Sequence, residues 1–140
     1  MKQADFERKY TRSDNYRQEF LASNHGDLRC RYCHKKLSGT KKSNKLEVDH
    51  LIPIAAARRS AFARMLLKHN GCDTVNDLSN LVPACRRCNR RKSSKMGIWY
   101  IRGVLGKFET YWVCLNSIKL FIAVNLAAML YSLIILSRSA

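Results

Sequence analysis

The chain has 140 residues and a formal net charge of +16, from 26 basic and 10 acidic side chains. That length leaves room for one modest domain plus an appendage, and the charge favours a polyanionic partner, either nucleic acid or an anionic membrane surface. Six cysteines would suit a secreted disulfide scaffold, but Met1 to Tyr16 is polar and charged and offers no apolar stretch for a signal peptide. A reducing cytosol is the expected compartment, and there paired cysteines read as metal ligands.

Residues 2–23 lack Gly and Pro and space Phe6, Tyr10 and Phe20 among polar residues, which predicts a helix. Asn24-His25-Gly26-Asp27 reads as its stop and a turn. Leu28 to Leu37 reads as a short strand, a Cys-x-x-Cys knuckle and a second short strand. Ser38 to Lys45 is small, polar and basic, and is expected to be an exposed loop. Leu46 to Ile52 is a strand ended by Pro53. Ala55 to Asn70 is rich in good helix formers, and Gly71 stands where a C-terminal cap belongs. A polar loop, Asp73 to Asn80, leads to a second strand at Leu81 to Ala84, and Cys85 opens a basic helix to about Ile98. Gly103 and Gly106 punctuate the next stretch, and Tyr111 to Leu136 reads as one long apolar helix. All ten acidic residues fall at or before Glu109, after which only Lys119 and Arg138 are charged. Composition therefore divides the chain into an N-terminal helical segment (1–27), a central domain (28–110) and an apolar C-terminal helix (111–140).

Cys30–Cys33 and Cys85–Cys88 are two Cys-x-x-Cys pairs. Two residues between cysteines let both sulfurs reach one ion from a tight turn, and Zn²⁺ takes four such ligands in a tetrahedron. Two pairs 51 residues apart predict a structural Zn²⁺ that pins the N-terminal knuckle to the start of the later helix. A short chain has a limited core, so this staple should contribute much of its stability. His34 beside Cys33 is expected at the surface, as are His25 and His69. Cys72 and Cys114 are expected to be small buried hydrophobes.

Between the two pairs lies Val48-Asp49-His50-Leu51-Ile52-Pro53, and around the second lies Asn80-Leu81 followed by Cys85-x-x-Cys88-Asn89-x-x-Lys92. On these residues, over roughly 28–96, the chain resembles the HNH nuclease family, in the subgroup stabilised by a four-cysteine zinc site. The resemblance implies an α+β fold: a small ββα-metal core with the four-cysteine zinc site, flanked by the N-terminal helix and the apolar C-terminal helix. It implies a metal-dependent DNA endonuclease that leaves 5′-phosphate and 3′-hydroxyl ends. His50 would be the general base that activates water, since imidazole titrates near ~6.5. Asn80 would hold His50 by a hydrogen bond, while Asp49 and Asn89 would bind a catalytic Mg²⁺ or Mn²⁺. A phage or bacterial setting, inside the bacterial host's cytoplasm, is implied by analogy.

The chain departs from the family at Asn89, where a second histidine is usual. An amide oxygen shifts preference from soft metals toward Mg²⁺ or Mn²⁺ and weakens binding, which leaves a non-catalytic zinc-containing DNA-binding module as the rival reading. It departs again in the Ala-rich insertion after His50, whose Arg58, Arg59, Arg64 and Lys68 either line DNA or form a solvated face. Asp73 and Asp77 read as capping and turn residues. Arg86, Arg87, Arg90, Arg91, Lys92 and Lys95 crowd the active-site helix and are expected to track phosphates.

In the tail, Leu120 to Leu136 gives 17 residues in which only Asn125 and Ser132 are polar. A membrane anchor, a dimerisation helix and a core helix packed on residues 2–23 all remain open, with burial in protein favoured over membrane. The first leaves a membrane-associated basic protein as a third functional reading.

Overall fold

The computed structural model describes residues 3–24, 28–37 and 45–138. The site is organised by β1 (Leu46–His50) and β2 (Leu81–Cys85), which pair antiparallel with Leu46 opposite Cys85 and His50 opposite Leu81. β2 is buried along its whole length. The helix α5 (Arg86–Lys92) follows it without a linker, so one short stretch of chain delivers a strand, the second cysteine pair and a basic helix. Mixed α and β structure is thus as expected, with a two-stranded sheet among the described residues.

The N-terminal segment is two helices rather than one. α1 (Gln3–Lys9) and α2 (Tyr16–Ser23) are separated by residues 10–15, where the short polar side chains of Thr11, Ser13, Asp14 and Asn15 compete with helical hydrogen bonding. The expected turn at residues 25–27 and the loop at 38–44 lie outside the described residues. The knuckle carries an isolated antiparallel bridge, Arg29 to Lys36, in place of two strands. Arg31 N–H donates to Pro83 O at 2.8 Å, which ties the knuckle to β2.

The insertion after His50 also breaks in two, as α3 (Ile54–Arg59) and α4 (Ala61–His69). Ser60 interrupts it: its backbone is extended, and its hydroxyl accepts from Ala63 N–H as the N-cap of α4. Gly71 takes the left-handed φ of +71° that a helix stop favours. The basic helix ends at Lys92, six residues before the expected Ile98, because Ser93 turns into a positive φ of 49°. After Gly97, α6 (Ile98–Leu105) begins. A methyl group on Gly103 of α6 would collide with the Leu51 side chain and crowd Tyr32, so glycine lets α6 lie against the site's supporting residues.

The chain forms two units, residues 1–107 and 108–140. The first includes the N-terminal helices, which belong to the central domain instead of forming a separate segment. Tyr10 joins Ile52, Ala57, Leu67 and Val75 in one core cluster, and Phe20 joins Val48 and Leu81 in another. A third cluster surrounds the cysteines with Tyr32, Leu37, Leu51 and Val82. The second unit is the helix α7 (Glu109–Arg138). None of its most apolar 18-residue window is buried.

Candidate functional site

Cys30, Cys33, Cys85 and Cys88 bring their sulfurs within 4.8 Å of one another. Sulfurs about 2.3 Å from a tetrahedral ion stand about 3.8 Å apart, and Cys33 Sγ lies 3.8 Å from Cys85 Sγ. His34 and Cys33 N–H both donate to Cys30 O, at 2.8 and 3.3 Å, and Cys88 N–H points at Cys85 Sγ at 3.5 Å. These turns are what two intervening residues require to aim paired sulfurs at one point. Hydrogen bonds from Cys30 and Cys88 hold the Cys33 thiol low, at about 2. The bond to Cys33 in turn pushes Cys30 up to about 12, and bonds to Cys30 and Cys33 push Cys88 up as well. Deprotonating several thiols this close together calls for a bound positive ion. The four-cysteine cluster can therefore hold a metal ion.

Of the two remaining cysteines, Cys72 is buried as expected, and burial pushes its thiol up to about 11. Cys114 is exposed on α7, which corrects the expectation of burial.

His50 ends β1 with its imidazole buried. The Tyr16 ring lies 5.0 Å from it, and Nε2 is 3.3 Å from Asn76 Oδ1. The Asn76 amide is itself oriented from two sides: Ser13 N–H donates to its Oδ1 at 3.1 Å, and its Nδ2 donates to Thr11 O at 2.8 Å. An acceptor oxygen facing Nε2 puts the proton on that nitrogen and leaves Nδ1 as the basic atom. Burial lowers the His50 pKa below its ordinary value, outweighing the Asn76 bond, so the ring is kept neutral.

Asn80 does not hold this imidazole. Its side chain is fully buried and grips backbone. Oδ1 accepts from Ile52 N–H at 2.8 Å, and Nδ2 donates to Ile52 O at 3.2 Å and Val75 O at 2.8 Å. Its own carbonyl accepts from Leu51 N–H at 2.7 Å. Asn80 therefore fixes the chain just after His50 and the loop that carries Asn76. The orienting role expected of it falls to Asn76, four residues earlier. No signal in the sequence marked that residue, because its partners Thr11 and Ser13 are more than 60 positions away.

Asp49 is also buried. Its Oδ2 accepts from the Tyr32 hydroxyl at 2.6 Å and pairs with Lys92 Nζ at 2.9 Å. Lys92 also donates to His50 O at 2.7 Å and has no exposed surface. It is the one member of the basic run on α5 that cannot touch phosphate, which corrects the expectation. A helix of seven residues turns one side inward, and Cys88 and Lys92, four apart, occupy that side. Burial lowers the Lys92 pKa, opposed by the Asp49 charge. Burial raises the Tyr32 pKa, and the Asp49 charge adds to it, so the phenol stays a donor. Arg86, Arg87, Arg90, Arg91 and Lys95 are exposed.

Asn89 donates through Nδ2 to Glu47 Oε2 at 2.7 Å. Glu47 was overlooked, although strand alternation puts it on the same face of β1 as Asp49. Among the described residues nothing hydrogen-bonds Asp49 Oδ1 or Asn89 Oδ1. Asp49, His50 and Asn89 line one cavity of about 530 Å³, with Arg12 and Arg58 on its wall. Two oxygen donors, a neutral imidazole and guanidinium groups in one cavity can bind a hard cation and an anionic ligand together.

In the insertion, Arg58 Nη2 donates to both carboxylate oxygens of Glu7, each at 2.9 Å, and Arg64 donates to Ala57 O at 2.9 Å. Arg59 and Lys68 are exposed. Asp77 closes its loop by accepting from Thr74 N–H and Thr74 Oγ1 at 2.9 and 2.8 Å, the turn role expected of it. His69 is exposed, His34 is half-buried, and His25 lies outside the described residues. No family model matches the chain, and no curated protein and no solved structure matches it.

Proposed function

We propose that the first unit is a metal-dependent DNA endonuclease of the HNH type, hydrolysing phosphodiester bonds. The observation that carries this reading is the shared cavity of Asp49, His50 and Asn89, with an amide and a carboxylate oxygen left unbonded among the described residues beside a buried neutral imidazole. The four-cysteine cluster, in this reading, holds a structural Zn²⁺.

His50 takes the proton from an attacking water through Nδ1, while Asn76 fixes the ring through Nε2. A Mg²⁺ or Mn²⁺ ion held by Asp49 Oδ1 and Asn89 Oδ1 would supply stabilisation for charge growing on the phosphate and the leaving 3′ oxygen. Tyr32 and Lys92 keep Asp49 aimed by occupying its other oxygen. Glu47 fixes the Asn89 amide so that its oxygen is the atom left over. Arg86, Arg87, Arg90, Arg91 and Lys95 contact the DNA backbone, which gives affinity with little sequence preference.

One observation favours the rival, a zinc-stabilised DNA-binding module without turnover. Lys92 already neutralises Asp49, and an amide at position 89 brings no charge, so the cation site is weak. Plasmid nicking against Mg²⁺ and Mn²⁺ concentration decides between them. The endonuclease reading requires nicking at millimolar metal that is lost in His50→Ala. Tight DNA binding with no nicking by the wild-type chain, and nicking gained in Asn89→His, establishes the rival.

A further inference from the structure

We propose that α7 spans a lipid bilayer and tethers the basic first unit to an anionic membrane surface. Four observations lead there, none of which depends on the nuclease reading.

The first is where the apolar surface lies. Leu133, Ile134, Ile135 and Leu136 are consecutive and all about half exposed. Successive residues turn by about 100° around a helix, so these four cover its whole circumference. Leu120, Phe121 and Ile122, also half exposed or more, cover over half of it at the other end of the run. A dimer seam or a groove on a partner covers one stripe and leaves the other faces in water. Only a solvent that is apolar on all sides satisfies such a helix, and none of its most apolar 18-residue window is buried in protein.

The second is length. The run from Leu120 to Leu136 has 17 residues, about 26 Å at a helical rise of about 1.5 Å per residue. That approaches a hydrocarbon core of about 30 Å, and the helix continues to Arg138 and back to Glu109.

The third is how the polar groups inside the run are satisfied. Hydrocarbon leaves no water to pair a polar side chain. Asn125 Nδ2 donates to Phe121 O at 2.8 Å, and Ser132 Oγ donates to Ala128 O at 3.0 Å. Both side chains thus fold back on the carbonyl four residues earlier.

The fourth is charge. Lys119 and Arg138 bracket the run, as residues that reach toward headgroups at either interface do. All but two of the 26 basic side chains precede Phe108. A strongly basic segment thus precedes the span, and that charge holds its side to an anionic leaflet.

The test is flotation of the full chain with two kinds of vesicle, neutral phosphatidylcholine and a mixture with anionic phosphatidylglycerol, followed by washes in concentrated NaCl and in alkaline carbonate. The span predicts that the protein, reconstituted from detergent, floats with both kinds and survives both washes. The double variant Ala128→Lys with Met129→Lys should float only with the anionic vesicles and be released by salt, with its four-cysteine metal content unchanged. Wild-type protein that floats only with anionic vesicles and is washed off by salt would show surface adsorption and overturn the span. A detergent-free, water-soluble dimer or higher oligomer would overturn it too, by placing α7 in a protein seam. Because the wild-type result decides, the proposal stands or falls even if the double variant does not accumulate.

Discussion

Asn80→Ala separates two roles for one residue. If Asn80 oriented the base, its loss would leave a stable but inactive protein. The geometry gives it a different task, since its amide makes three buried hydrogen bonds, to Ile52 N–H, Ile52 O and Val75 O. Removing it strands those three backbone groups in a place with no exposure at Asn80. At about 1 kcal/mol for each bond the loss is about 3 kcal/mol, and more if water cannot refill the space. For a unit of this size, roughly 4 °C per kcal/mol lowers the unfolding midpoint by about 12 °C. Asn80→Asp should be at least as damaging, because it turns an acceptor toward two carbonyls. Thermal unfolding followed by circular dichroism on the metal-loaded protein measures the shift. Asn76→Ala, a half-buried position, should leave the midpoint within a few degrees while lowering the cleavage rate at saturating DNA. An Asn80→Ala protein with the wild-type midpoint would refute the clamp, and an Asn76→Ala protein with the wild-type rate would refute the orienting contact.

Replacing His50 with alanine should cut nicking by about 10²–10⁴-fold with DNA affinity and metal content intact, since only proton removal is lost; single-turnover cleavage measures it. Chelating the metal, or Cys85→Ser, should collapse the knuckle and the start of α5 together, seen as a lower and broader unfolding transition, because the cluster joins segments 51 residues apart. Arg91→Ala should weaken DNA binding and flatten its salt dependence by roughly one unit of slope. Lys92→Met should leave that slope unchanged and instead destabilise the fold by about 3 kcal/mol, because Asp49 stays buried without its partner; binding isotherms across a salt series distinguish the two. The lowered His50 pKa puts the acid limb of the pH–rate profile below 6.5, since the ring stays neutral where an exposed histidine is protonated. For folding, the sign is that the unfolded chain binds this proton first. The group's contribution is constant above about 6.5 and falls as pH drops from there to the folded pKa.

The sequence by itself determined the parts whose signals are local. Cys-x-x-Cys turns aim two sulfurs by backbone geometry alone, so both pairs were legible. Strand alternation and Pro53 marked β1, and unbroken apolarity marked α7. Positions where short polar residues disrupt a helix were misread, at Thr11 to Asn15 and at Ser60, because capping competes with helix propensity over a few residues and the outcome depends on what the ends pack against. Tertiary structure alone decided the partners. It sent Asn80 to backbone and gave the imidazole to Asn76, whose amide is set by Thr11 and Ser13 far earlier in the chain. It turned Lys92, one of six basic residues that look alike in sequence, inward onto Asp49. A side chain's charge is written in the chain, but whether it meets water or a buried carboxylate depends on which face of α5 the Cys88 thiol and the sheet pull inward.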